Sequence, residues 1–279
     1  SLKTNVPSLR AQTNLNETFI QLNKSIERLS SGSKILTAQD DPAGLAISER
    51  LKNQIRGNLV DQRNVNDGIS ALQVAEGGMN EISQILLRMR ELTLQAANGT
   101  LAGNDRVFLN TELTELKNEI DRITKSTNYN GLTLLSGGLS VTGLIIQVGL
   151  NDQDSDRMTI TISNLTTNGI GTTSGMLTTV TISQSAGRAR DMLAIIDASI
   201  SDVSDARSKV GAQLSRLNST SRSLSVSHYN LESAHSLIKD VDVAEETAAL
   251  TRRQILMQAG VNVLSTANNS PQVALSLLQ

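Results

Sequence analysis

Residues 193–231 read LAIIDASISDVSDARSKVGAQLSRLNSTSRSLSVSHYNL. Leu193, Ile196, Ile200, Val203, Val210, Leu214 and Leu217 fall on one 3,4 alternation, which Leu224 and Leu231 continue. Arg207, Ser221 and His228 occupy the remaining positions of the same register. A repeat averaging 3.5 residues keeps one stripe turned toward a partner helix and implies a left-handed supercoiled pairing. The stretch therefore predicts a mainly α fold of long antiparallel, coiled-coil-like helices.

A matching stripe lies upstream. Leu72, Ala75, Met79, Ile82, Leu86, Met89, Thr93 and Ala96 recur at helical spacing inside a pattern running from Ala43 to about Asn98. Fifty-six helical residues would span about 84 Å, whereas a compact chain of this length has a radius of gyration near ~19 Å. The pattern thus predicts an extended rod. Asp41 suits an N-cap and Pro42 the first helical position, where a missing N–H costs little. Gly99 suits the stop. Flanking seams run Leu15, Phe19, Leu22, Ile26, Leu29 before Ser30-Ser31-Gly32, and Leu109, Leu113, Leu116, Ile120, Ile123 before Asn130-Gly131.

Residues 132–185 break the helical pattern. Sixteen of the 46 residues from Ser140 to Ser185 are Ser or Thr, and alternating runs at Met158–Ile162 and Val180–Ile182 predict short strands between Gly turns. The final segment, about 241–278, is apolar around much of its circumference: Ala248, Ala249, Leu250, Ile255, Leu256, Met257, Val261, Val263 and Leu264, with Leu277 and Leu278 at its end. A helix apolar on several faces must be buried on several sides. Narrow seams elsewhere in one chain cannot supply that cover, so the segment points to other subunits.

Composition removes most alternatives. Twenty-five basic and 27 acidic residues leave a net charge of -2, with no electrostatic footprint for nucleic acid or an anionic membrane. Cys and Trp are absent, and Phe19, Phe108, Tyr129 and Tyr229 are all the aromatics. Thiolate sites, base-stacking platforms and an ordinary aromatic-lined pocket are thereby disfavoured. Asp152, Asp154 and Asp156 imitate the start of a calcium loop, but Arg157 and Ser163 stand where Gly and Glu are needed, so they predict an acidic turn. His228 and His235 are seven apart without a third ligand, which places them at a seam edge. No phosphate loop or nucleophile elbow is present. The expectation is no enzyme, no cofactor and no metal. No apolar run reaches the ~20 residues of a membrane span, and no cleavable signal is evident. By these signals the chain is cytosolic unless a dedicated export machine handles it.

Specific motifs then narrow the reading. Ser25-Ile-Glu-Arg-Leu-Ser-Ser-Gly32, Asp40-Asp41, Gly44-Leu-Ala-Ile-Ser48, Gln54-Ile-Arg-Gly57, Arg63-Asn64 and Asn66-Asp-Gly-Ile-Ser70 resemble bacterial flagellin. Ala75-Glu-Gly77, Arg88-Met-Arg-Glu-Leu92, Gln95-Ala-Ala-Asn-Gly-Thr100 and Asn118-Glu-Ile-Asp-Arg122 extend the resemblance. So do Ile238-Lys-Asp-Val-Asp242, Ala244-Glu245, Gln254-Ile-Leu-Met-Gln-Ala-Gly260 and Pro271-Gln272. It covers roughly 1–138 and 186–279, while Asn58 stands where an apolar residue is frequent.

The resemblance implies discontinuous domains. The D0 helices would be 1–41 and 237–279, and the D1 helices 42–131 and 186–236. A β-hairpin or short variable region would occupy 132–185, with no full outer domain. It implies a secreted, extracellular subunit of the bacterial flagellum, exported unfolded by the flagellar type III apparatus and self-assembling helically into the filament for motility. Implied partners are other flagellin subunits, filament cap and hook-junction proteins, and an export chaperone at the C-terminal region. Terminal assembly falls to Leu15, Phe19, Leu22, Ile26, Ile255, Leu264, Leu277 and Leu278, and the D0–D1 cap to Asp41 and Pro42. Family members engage animal Toll-like receptor 5 through an arginine, a leucine and a glutamate that map to Arg88, Leu92 and Glu112. Taking 100° per residue, the face shared by Arg88 and Leu92 lies about 120° from the seam through Met79, Ile82, Leu86 and Met89, so Leu92 reads as a surface leucine. The competing readings are a hook–filament junction protein and, from another class, a cytoplasmic coiled-coil signalling hairpin; the Ser/Thr-rich β insert disfavours a helical hairpin tip.

Overall fold

Helix α1 (Val6–Ser31) begins at Asn5, whose Oδ1 accepts the Ser8 N–H, and ends at Gly32 in the left-handed conformation, φ 69°. Helix α2 (Pro42–Ala96) begins where the sequence places it, with Pro42 first and Asp41 Oδ1 accepting the Gly44 N–H at 2.9 Å. A side chain at Gly44 would collide with that capping carboxylate and with Ile35, so a residue without Cβ fits this first turn. The remaining elements are α3 (Gly103–Ser126), β1 (Asn128–Tyr129), β2 (Leu132–Thr133), α4 (Gly138–Val141), β3 (Leu144–Gln147), β4 (Arg157–Ile160), α5 (Ala186–Lys239) and α6 (Val243–Ser276). The computed structural model describes residues 4–183 and 185–276. The chain divides into two compact units, Ser1–Ile55 with Tyr229–Gln279, and Arg56–His228.

In the first unit α1 and α6 run antiparallel. Asn5 Nδ2 donates to Ala267 O at one end, and Val241 N to Gly32 O at the other. Between them Glu246 accepts from Ser25 Oγ and from Arg253 Nη1 at 3.1 Å, with Arg28 close by. The face of α1 turned inward is Ala11, Leu15, Thr18, Leu22, Ser25 and Leu29. This corrects the expected seam. Leu15, Leu22 and Leu29 belong to it, but Phe19 and Ile26 stand 51% and 48% exposed. Both stripes share the same leucines. The hydrogen-bonded Ser25–Glu246 pair turns the helix toward Thr18 and Ser25 rather than toward Phe19 and Ile26. Asp40 pairs with Lys24 and accepts the Leu36 and Thr37 N–H groups, so its carboxyl is held well below the usual aspartate range, chiefly by Lys24.

In the second unit α2 and α5 are antiparallel partners: Gln62 Nε2 donates to Ser225 Oγ, and Arg90 Nε to Asp197 Oδ1 at 2.7 Å. Val65, Leu72, Ala75, Met79, Ile82, Leu86, Met89 and Ala96 are buried on α2; Ile196, Val203, Val210 and Leu217 are buried on α5. Ile200 and Leu214 pack against this core half-buried, and Leu193 is half-buried. The four interior glycines leave α2 uninterrupted. Three of them, Gly57, Gly68 and Gly78, are where Leu150, Ile146 and Leu135 press onto the helix so closely that a Cβ would displace them. Helix α2 stops at Ala96, and Gly99 is not in the left-handed conformation. The stop comes from α3, whose Arg106, 9% exposed, donates from Nε to Ala96 O and from Nη2 to Asn98 O, both 2.9 Å. Arg106→Met keeps the apolar stem but removes the Ala96 O donor and leaves Asn98 O only the long Leu101 N–H contact at 3.5 Å. Urea unfolding is expected to show a loss of about 2 kcal/mol; an unchanged midpoint would remove this capping role.

The β content is smaller than the sequence suggested. Asn130 and Gly131, both at positive φ, form the tight turn of the β1–β2 hairpin. The run at Met158–Ile162 supplies β4, antiparallel to β3. Val180–Ile182 forms no strand, because its backbone is bonded to side chains of α3 instead. Asn110 Oδ1 accepts the Ile182 N–H, and Lys117 Nζ donates to Thr178 O and Val180 O. Asp121 and Asp202 similarly accept the N–H groups of Thr167 and Gly171. Burial lowers the Lys117 ammonium below its usual range. The acidic Asp154–Asp156 stretch is a 3-10 turn leading into β4, as a turn reading requires.

Candidate functional site

The first unit is a pair of helices that leaves much apolar surface uncovered. On α1, Val6, Leu9, Phe19, Ile20 and Ile26 are exposed; on α6, Val243, Ile255, Leu256, Val261 and Val263 are. Inward from α6 come Leu250, Met257 and Leu264, all only half-buried, and Gly260, against which Leu15 packs. The polar Glu246 and Arg253 share this inner face, so part of the apolar content of α6 is displaced outward. Isolated exposed leucines are ordinary, but apolar rows on both members of a helix pair mark an interaction surface. Of the terminal residues singled out in sequence, Leu22 is buried, Leu15 and Leu264 are half-buried, and Phe19, Ile26 and Ile255 are exposed. Leu277 and Leu278 lie outside the described residues.

In the second unit, Arg88 and Glu112 come together as a surface pair. Arg88 donates from Nε and Nη2 to Glu112 Oε1 at 3.0 and 2.8 Å, and from Nη1 to Glu91 at 3.2 Å. These carboxylates, Glu112 first, hold the guanidinium above its ordinary pKa. Leu92 does not join them at the surface. It is 1% exposed and belongs to the core, contrary to the sequence expectation. The physical reason is the width of the buried arc. Side chains from Leu92 round to Met79 span about 140° of the α2 circumference. Arg88 borders one edge beneath α3 and Arg90 the other beneath α5. A single seam reading covers one partner helix, whereas α2 has two. The sequence signal that could have found this was Ile85, seven positions before Leu92 and about 20° from it around the helix, which widens the apolar stripe.

Among the described residues no group of three or more His, Cys, Asp or Glu could hold a metal, and no helix is long and apolar enough to cross a membrane. His228 and His235 are half-buried on α5.

Residues 2–139 match the bacterial flagellin N-terminal helical region, and residues 193–278 match the bacterial flagellin C-terminal helical region. The chain is 39% identical over 275 residues to a flagellin of Halalkalibacterium halodurans, covering 99% of this chain and 98% of that one. It is 34% identical over 284 residues to flagellin FlaB1 of Treponema pallidum, again covering 99% and 98%. A solved structure described as a flagellar hook-associated protein of Vibrio parahaemolyticus shares the fold, with a TM-score of 0.58 at 18% identity over 72% of this chain and 99% of that chain. The chain belongs to the bacterial flagellin family. It is a structural subunit of the flagellar filament, and flagellins polymerise into that filament with other flagellin subunits.

Proposed function

We propose that the chain acts mechanically and catalyses nothing, and that its first unit builds the inner layer of the polymer. The observation that carries this reading is the uncovered apolar surface on both α1 and α6. In a helical polymer each copy offers that surface to others, and heterologous contacts that do not close extend into a filament. The domain scheme consistent with this has 1–41 and 237–279 as D0, 42–131 and 186–236 as D1, and 132–185 as the short β-containing insert. Export unfolded through the flagellar type III apparatus, a chaperone at the C-terminal region, and filament cap and hook-junction proteins complete the proposal by family resemblance. Purified chain added to short filament seeds should lengthen them in electron micrographs and move into the pellet on sedimentation. Growth that stops after one layer of subunits would instead support the hook–filament junction reading.

A second surface is proposed for Toll-like receptor 5, now resting on Arg88 and Glu112 alone, because both are exposed and paired while Leu92 is buried. Arg88→Ala should raise the monomer concentration needed for half-maximal reporter-cell activation about tenfold, through loss of a charge-assisted contact. Its melting temperature should barely move, since exposed ion pairs contribute little. Unchanged potency would discard the surface.

A further inference from the structure

The acidic turn has a counterpart on α2 that the filament role does not use. The segment after β3 lies across α2: Leu150 sits over Gly57, and Asn64 Nδ2 donates to Gln147 O at 3.2 Å. Asp61 falls between those two anchor points, one turn after Gly57 and one turn before Asn64, on the same helix face. It is 5% exposed, and its Oδ2 has no hydrogen-bond partner. Asn58, three residues earlier on α2, is 4% exposed, and its Oδ1 is likewise sealed without a donor.

From the other side, the Asp156 carboxylate folds back over the same segment. It accepts the Asn151 N–H at 2.9 Å and packs where a side chain on Gly149 would otherwise stand. The neighbouring cation, Arg157, is committed to Asp152. Level with Asp61, α5 presents Ser225 and, one position before it, half-buried Leu224; the nearest cation on α5, Arg222, is exposed and stands three residues before Ser225. Arg216 stands on α5 more than two turns earlier, lining a groove with Ser155 and Arg157. Burial first, and the Asp156 charge second, push the Asp61 carboxyl above its usual range.

We propose that Asp61, Asp156 and Asn58 Oδ1 form a site for a hard cation of the calcium class, clamping the segment between β3 and β4 onto α2. Two buried oxygens without a donor, Asp61 Oδ2 and Asn58 Oδ1, beside an Asp156 carboxylate that accepts only the Asn151 N–H and, at 3.5 Å, Ser155 Oγ, suit such an ion, which takes carboxylate and amide oxygens together. A bridging water would satisfy two acceptors but would leave two neighbouring carboxylates uncompensated. With only two carboxylates the affinity belongs to the weak class of extracellular calcium modules, about 10⁻⁴–10⁻³ M.

The sign of the linkage gives the control. A carboxyl whose folded pKa is raised costs stability once pH exceeds its unfolded value, and that cost is relieved by protonation, by removal of the charge, or by a bound cation. In calcium-free buffer Asp61→Asn should therefore melt above the natural chain. At calcium tenfold above the dissociation constant, the natural full-length monomer should gain about 3–6 °C. The comparison uses calcium chloride against sodium chloride at equal ionic strength, followed by circular dichroism at 222 nm. Calorimetric titration with calcium chloride should give one ion per chain. Asp61→Asn and Asp156→Asn should both lose the calcium-dependent gain. No gain beyond the sodium control, or an equal gain in both variants, would overturn the site. The filament role is read separately by seeded growth, so failure of one leaves the other standing.

Discussion

The double variant Ile255→Asp/Val263→Asp is expected to form no filaments at concentrations where the natural chain assembles fully. Both side chains are more than half exposed on α6, outside the face that meets α1. The fold of either unit therefore does not need them. In a polymer that covers this surface, each aspartate would be a charge taken out of water without a partner. Breaking into an apolar interface in this way costs about 3 kcal/mol or more per site. Two sites ~12 Å apart on the helix act nearly independently, which raises the monomer concentration needed for growth by about 10⁴-fold. Sedimentation and electron microscopy measure the loss, while circular dichroism should show a helical signal and melting curve like the natural chain's. Filaments of normal yield would mean that this face of α6 stays in contact with solvent in the polymer.

Leu92→Ala is expected to destabilise the second unit by about 3–5 kcal/mol, the range for emptying a well-packed leucine site. Leu92 lies in the core at the α3-facing edge of the α2 arc. By contrast Arg88→Ala, one turn away on the same helix, should cost less than about 1 kcal/mol. Urea titrations of the two single variants decide this directly. A loss below about 1 kcal/mol for Leu92→Ala would return that side chain to the surface. The same pair separates two ways of losing receptor activation. Arg88→Ala should lose it with the fold intact, and Leu92→Ala only in proportion to unfolding.

The long helices were legible because their information is local and periodic. Pro42 after Asp41 marked a start, and the spacing from Leu72 to Ala96 marked one buried face. What was not legible was how many neighbours each helix has. Leu92 was misread because α2 packs against both α3 and α5. Phe19 and Ile26 were misread because a partly buried Ser25–Glu246 hydrogen bond, between residues 221 apart, selects the face of α1. Hydrophobicity alone would have chosen the phenylalanine. The end of α2 was similarly nonlocal. Arg106 supplies the cap from the next helix, so Gly99 carried a signal that the backbone does not use. Val180–Ile182 alternates like a strand, yet side-chain acceptors and donors on α3 claim its backbone. The influence of the Asp156 charge on Asp61 links positions more than ninety apart, which no motif spacing encodes.

The pairing of α1 with α6 also fixes an arrival order. Asn5 and Ala267 are hydrogen-bonded across 262 positions, so the first helix to emerge from any N-terminus-first process finds its partner only when the last is delivered. Closing so large a loop adds little entropy beyond a loop of half the size, but it cannot happen early. Until α6 arrives, α1 is a single 26-residue amphipathic helix with no partner for its inner face, and most of the stability of a protein helix comes from packing such a face. The chain thus carries a built-in delay. In such a process α1 waits for α6, and any copy cut short before Val243 is left without that closure.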